Sequence, residues 1–299
     1  MNDANTKYIG RFAPSPTGPL HFGSLVAAVA SYLDARAQGG SWLVRIEDVD
    51  TTRCKAEFAA DILKTIATFG FSWDGEVVFQ SRRSARYQSA LERLTSRGLT
   101  YACACSRKEI ADSSMAGIDG PVYPGTCARK GLAVAGNAIR VRTAATAISF
   151  VDRVQQCHCQ QLDRDIGDFV LKRRDSLFAY QLAVVVDDAE QQVSHVVRGA
   201  DLLDSTARQI YLQKLLGYPT PSYLHIPVAT NSAGQKLSKQ NLAQAITDNE
   251  ACGLLGDALV CLGQQTPVVT PLTPKGLLAA AVSAWNTARI PKQRTCRIS

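Results

Sequence analysis

A chain of 299 residues with 46% hydrophobic content can bury a sizeable core, as one large domain or two to three small ones. Its apolar stretches, such as residues 277–285, fall well short of the about 20 residues that cross a bilayer, and MNDANTKYIG has no export signal, so a cytoplasmic location is expected. Lys plus Arg (33) exceed Asp plus Glu (26) by 7, which favours a polyanionic partner, and nine cysteines point to thiols or metal ligands rather than disulfides.

Residues 8–12 read as a short strand, and residues 20–38 carry apolar positions at helical spacing until Gly39 and Gly40 stop them. SWLVRIE at 41–47 is a second strand, residues 55–69 a second helix, and residues 84–97 a third, closed by Gly98. This alternation predicts a parallel sheet built from crossover units. From Tyr101 to about Gly136 the pattern gives way to Cys, Gly, Pro and polar residues, read as an insertion that splits the sheet. Strands are expected to resume at 168–172, 193–197 and 224–228, with a helix at 201–216. After Asn231 the chain reads as mostly helical with a basic tail. The expected division is a Rossmann-type catalytic domain in two halves, 1–100 and 168–230, an insertion at 101–167, and a loop with a helical C-terminal region at 231–299.

The turn after the first strand, RFAPSPTGPLHFGS, lies where open parallel sheets bind ligands. Pro14 and Pro16 stiffen the strand exit, Gly18 lets a ligand approach the backbone, and the helix N-terminus around Gly23 and Ser24 offers N–H groups to an anion. His21 is placed to donate to phosphate oxygens. By itself such a turn is most often punctuation. GQKLSKQN at 234–241 sets Lys236 and Lys239 three apart on a Gly-led loop, an arrangement suited to a departing phosphate, although an isolated pair of this kind reads as a solvated basic turn.

Together the segments carry a resemblance. HFGS (21–24) resembles the HIGH signature and KLSKQ (236–240) the KMSKS signature of class I aminoacyl-tRNA synthetases, with Phe22, Ser24, Leu237 and Gln240 as departures. LVRIEDVDTTR (43–53), AYQLAVVVDD (179–188) and VVRGADLL (196–203) extend the likeness to the glutamyl-tRNA synthetase core over residues 7–245. Only about 60 residues follow the second signature, too few for a large helical anticodon-binding domain. A core of this extent with a cysteine-rich insertion resembles the glutamyl-queuosine tRNA(Asp) synthetases. That resemblance implies activation of L-glutamate with ATP without tRNA, then transfer to the queuosine base at the wobble position of tRNA(Asp). It implies His21, Gly23, Ser24 and Lys239 at ATP, with His21, Lys236 and Lys239 catalytic, and Mg2+ accompanying ATP. A monomer is expected.

Chemistry gives the glutamate pocket its own outline. Two carboxylates call for cationic donors, and Arg11 and Arg198 stand on the ligand edge of the sheet, while Glu47 is the candidate partner of the ammonium. The family resemblance adds Tyr180 and a wall of Phe12, Ala13, Pro14 and Ser15. The attacking carboxylate is already ionised at neutral pH, so activation needs no general base. Two rivals remain: a truncated glutamyl-tRNA synthetase charging tRNA(Glu), and a catalytically silent RNA-binding relative.

Cys103, Cys105 and Cys127 on the insertion suit tetrahedral zinc with an oxygen donor or water in fourth place. The family resemblance fills that place with Tyr123, giving one structural Zn2+ per chain. Cys157, His158 and Cys159 form a competing trio, handicapped because adjacent strand residues face opposite ways. Cys54, Cys252, Cys261 and Cys296 read as ordinary thiols.

Overall fold

A computed structural model describes residues 7–113, 115–117, 120–230 and 250–297. Lys236 and Lys239 lie outside the described residues. Strand β1 (Ile9–Phe12) leads into helix α1 (Phe22–Ala37), then β2 (Ser41–Ile46), α2 (Ala56–Thr68), β3 (Val78–Phe79) and α3 (Ser84–Ser96). β1 and β2 pair in parallel, as do β2 and β3. After the inserted segment come α6 (Tyr180–Glu190), β11 (His195–Gly199), α7 (Thr206–Leu216) and β12 (Ser222–Ile226), with β11 parallel to β12. The two parallel sets are tied where the N–H of Ser194 donates to the Ile9 carbonyl at 3.0 Å.

Both faces of these strands are covered. Val197, Leu224 and Ile226 point into a core with α1 and α2, whereas Val196 and Tyr223 point into another with α3, α6 and α7. Alternate residues thus serve opposite cores, as a parallel sheet between two helix layers requires.

The insertion is more regular than its composition implies. β4 (Thr100–Cys103), α4 (Arg107–Ser113), β5 (Ala116–Gly117), β6 (Gly120–Pro121), β7 (Ala138–Val141), β8 (Ala147–Asp152), β9 (Gln156–Gln161), α5 (Leu162–Asp165) and β10 (Val170–Lys172) lie between α3 and α6. The expected strand at 168–172 is a correction: β10 pairs antiparallel with β7, which also pairs with β4. It closes the inserted sheet rather than reopening the parallel one, because apolar alternation marks a strand but not its neighbour.

The C-terminal residues also differ from a separate helical unit. β13 (Val228–Thr230) precedes α8 (Ala251–Cys261) and α9 (Pro274–Ala284), and both helices bury apolar residues in the core of α1. The basic tail forms β14 (Thr295–Arg297), parallel to β13. Asp34 of α1 locks this corner: it accepts from Tyr8, from Arg153 through two bonds of 2.6 and 2.9 Å, and from the Trp285 indole at 3.1 Å. One buried carboxylate thus joins β1, the inserted hairpin and the C-terminal segment.

Candidate active site

A cavity of about 780 Å³ opens at the carboxyl edge of β1 and β11. It is lined by every expected pocket residue among those described: Arg11, Phe12, Ala13, Pro14, Ser15, His21, Gly23, Ser24, Glu47, Tyr180 and Arg198. The Pro-rich turn is fixed by its neighbours, since Glu47 N–H donates to the Pro14 carbonyl at 2.9 Å and Lys55 N–H to that of Pro16 at 3.0 Å. The carbonyls of the two prolines thereby tie the turn to the residue after β2 and to the loop that follows it.

His21 is the N-cap of α1: its Nδ1 accepts from the Ser24 N–H at 3.3 Å, and Nε2 lies 3.0 Å from the Ser24 hydroxyl. Acceptance at Nδ1 places the proton on Nε2, where it faces the Ser24 hydroxyl and can pass to an anion that takes that hydroxyl's place. The first turn of α1 contains no acidic side chain to oppose one.

The residues expected at the amino-acid pocket sit on a buried charge network. Arg11 donates through Nε to Asp188 at 3.3 Å, and wholly buried Arg45 reaches Asp188 at 2.8 Å and Glu47 at 3.2 Å. Asp187 accepts from Gln80 (2.7 Å), Tyr87 (2.7 Å) and Arg83 (2.6 Å). Burial pushes the Asp188 carboxyl up, but Arg45 and Arg11 outweigh it and hold it below the usual carboxylate range. At Glu47 burial prevails over Arg45 and Arg11, and its pKa is raised. Burial likewise raises the Tyr180 phenol. Sequence reasoning gave no role to Arg45, Asp187 or Asp188; the signal was VVVDD, an apolar helix ending in two carboxylates that cannot be buried without cations. At the rim Arg173, just past β10, reaches Asp50 at 2.9 Å, so the insertion meets the β2–α2 loop.

Arg198 lies within β11, not beyond its end, and is buried. Its Nη1 donates to Gln209 at 2.8 Å, its Nη2 to the Thr206 hydroxyl at 2.8 Å and the Leu202 carbonyl at 3.3 Å, and its Nε to His225 at 2.9 Å.

A second cluster lies in the insertion. The Sγ atoms of Cys103, Cys105 and Cys127 lie within 4.8 Å of one another, and Tyr123 Oη is 3.3 Å from Cys103 and 3.5 Å from Cys105. Ideal tetrahedral thiolates on zinc stand about 3.8 Å apart, so these donors suit such an ion. Burial pushes the Cys127 thiol up, but hydrogen bonds from Tyr123, the backbone at Ala104 and the other thiols bring it down to about 7. The Arg140 guanidinium stacks over the Tyr123 ring at 3.9 Å. Gly167, at φ +71°, bridges Tyr123 so closely that a Cβ there would stand 2.8 Å from its backbone.

The competing trio is not assembled. Cys157 and Cys159 are exposed on β9, while His158 stacks on Phe150 at 5.4 Å and lies 3.1 Å from the Gln155 carbonyl. The three thiols of the insertion form the only metal-competent group among the described residues.

Residues 8–260 match the family described as tRNA synthetases class I (E and Q), catalytic domain. Over 294 residues the chain is 56% identical to a glutamyl-Q tRNA(Asp) synthetase of Dechloromonas aromatica (strain RCB), covering 97% of each. A protein of the same name from Chromobacterium violaceum is 53% identical over 290 residues, 96% of this chain and 97% of its own. A glutamate tRNA ligase from Elizabethkingia meningosepticum CCUG26117 superposes with a TM-score of 0.80 over 98% of this chain and 67% of its own, at 22% identity, a likeness of fold.

Proposed function

The chain belongs to the class I tRNA synthetases of the E and Q type, among the glutamyl-Q tRNA(Asp) synthetases, and from that premise we propose that it activates L-glutamate with ATP in the absence of tRNA and transfers it to queuosine of tRNA(Asp). The observation that carries this reading is the convergence of Arg11, Arg198 and Glu47 on one cavity beside the α1 N-terminus. Two guanidinium groups and one carboxylate complement two carboxylates and one ammonium. Arg11 and Arg198 belong to β1 and β11 and Glu47 directly follows β2, so the amino-acid site needs no RNA to assemble.

The substrate carboxylate attacks the α-phosphorus of ATP, the bond to the bridging oxygen breaks, and pyrophosphate leaves with that electron pair. The protein contributes position and charge. His21, through Nε2–H, and the first N–H groups of α1 hold phosphate oxygens, and Lys236 and Lys239 offset charge on the departing pyrophosphate. Glu47 has one oxygen committed to Arg45, and the other takes the substrate ammonium. Tyr180, neutral in its buried setting, donates its hydroxyl to the substrate. Magnesium, bound mainly by ATP oxygens and water, supplies further charge neutralisation. A hydroxyl of the queuosine cyclopentenediol then attacks the mixed anhydride and AMP departs.

Cys103, Cys105, Cys127 and Tyr123 would hold one structural zinc, an ion that would tie the end of β4 to the loop at 123–127 and take no part in either step. The expected inserted unit at 101–167 extends through β10, whose pairing with β7 closes its sheet, so the second catalytic half begins after β10 rather than at 168. The test of activation is glutamate-dependent exchange of labelled pyrophosphate into ATP. Exchange without RNA is expected, and exchange only after tRNA is added would contradict the proposal.

A further inference from the structure

Arg198 is held by more partners than a carboxylate ligand requires. A guanidinium has five N–H groups. Nε–H is taken by His225, one Nη1–H by Gln209, and both Nη2–H by Thr206 and Leu202, which leaves one Nη1–H for the cavity. Three of those acceptors are oxygens that accept in any state. His225 is different, because an imidazole nitrogen accepts only while it carries no proton.

The structure shows what keeps that nitrogen bare. His225 stands opposite Arg198 in the parallel register of β12 and β11 and is wholly buried. Its Nδ1 lies 2.6 Å from Oδ2 of buried Asp152, the last residue of β8. An ionised carboxylate can only accept, so the imidazole proton is held on Nδ1 and the lone pair of Nε2 faces Arg198. Burial takes His225 down to about 4 despite the opposing pull of Asp152, so at neutral pH the ring carries one proton. Asp152 is itself anchored, its Oδ1 accepting the N–H groups of Val154 (3.0 Å), Gln155 (2.8 Å) and His225 (3.2 Å).

We propose that Asp152 and His225 are positioning residues for the amino-acid pocket: Asp152 fixes the tautomer of His225, and His225 turns Arg198 so that one Nη1–H meets the substrate carboxylate. The inserted hairpin of β8 and β9 thereby sets a specificity element in the catalytic sheet that it does not itself line. This rests on the reading of Arg198 as a ligand of glutamate.

Asp152→Asn is the discriminating variant. Its side-chain oxygen can still accept the turn amides, but its NH2 group now donates to Nδ1 and drives the imidazole proton to Nε2, opposite the Arg198 Nε–H. In pyrophosphate exchange the KM for glutamate should rise about tenfold or more while that for ATP stays within about twofold. His225→Leu should behave alike, and His225→Gln, whose oxygen can reach the acceptor position, should stay within about threefold of the parent. Nitrogen-15 NMR of the imidazoles, of which the chain has four, gives a readout independent of catalysis. The parent should show His225 as the Nδ1–H tautomer and Asp152→Asn as the Nε2–H tautomer. An Nε2–H tautomer in the parent overturns the inference whether or not the protein activates glutamate. An unchanged glutamate KM in a folded Asp152→Asn protein overturns it while leaving the proposed function standing.

Discussion

The charge network beneath the glutamate pocket and the thiol cluster of the insertion bury reactive polar groups in opposite ways. In the first, every anion meets a cation: Asp188 between Arg11 and Arg45, Asp187 at Arg83, Glu47 at Arg45. In the second, donors of one kind face each other, with Cys105 Sγ 3.4 Å from Cys127 Sγ and Tyr123 Oη beside Cys103. A balanced network is rigid before substrate arrives, which preorganises a binding site. A cluster of thiols with one poised near pH 7 is matched instead by a divalent cation that displaces the shared protons. The same chain thus completes one site from its own side chains and leaves the other a set of donors that a divalent cation would complete.

The comparison breaks most visibly if one member of the balanced set is removed. Arg45→Leu leaves Asp188 and Glu47 each short of a buried cation, which should cost about 3–5 kcal/mol and lower Tm by roughly 10 °C in thermal unfolding. A change of only a degree or two would mean that the network is more solvated than its burial indicates.

Next in size is Glu47. Burial raises the Glu47 pKa, so its carboxyl takes up a proton at a higher pH than an ordinary glutamate does, and once protonated it cannot pair with an ammonium; glutamate affinity should therefore fall as pH falls through that pKa, by up to about tenfold per unit. Glu47→Gln should bind glutamate roughly 10-fold to 100-fold more weakly and lose this slope, as followed by the KM for glutamate across pH 5 to 8. Equal slopes in both proteins would place the ammonium elsewhere. Lys239→Ala should lower the exchange rate far more than it changes the glutamate KM, because its charge is assigned to the departing pyrophosphate; an unchanged rate constant would remove it from the mechanism.

Smaller effects are expected on the metal side. Cys105→Ser should reduce zinc from one per chain and destabilise the insertion, read by metal analysis and by amide exchange across residues 101–142, while the glutamate KM stays within about threefold. Cys157→Ser should leave zinc content unchanged, since its side chain is exposed and away from the three thiols.

How far the sequence foretold these sites follows from the range of the interactions involved. β1, α1, β2, α2 and α3 were legible to within a residue or two, because apolar spacing and the glycines at 39, 40 and 98 are local signals. Arg11, Glu47 and Arg198 were legible because they end or occupy strands beside a recognisable turn. The partner of β10 was not, nor was the pairing of β14 with β13, since strand order depends on residues far apart in the chain. Arg45 was hidden for the same reason: within SWLVRIE it reads as a solvent-facing position, and only α6, more than a hundred residues later, supplies the carboxylates that bury it. Asp152 and His225 are likewise 73 residues apart and meet only in the fold.

The central claim is that this preorganised pocket serves an RNA base rather than an RNA terminus. Labelled glutamate, ATP and an isolated anticodon stem-loop of tRNA(Asp) test it directly, with the label located after transfer. The stem-loop containing queuosine should accept glutamate nearly as well as whole tRNA(Asp), its guanosine counterpart should accept none, and removal of the terminal adenosine from the whole tRNA should leave transfer intact. Label found on the terminal adenosine, or efficient charging of a tRNA(Glu) without queuosine, would contradict the account.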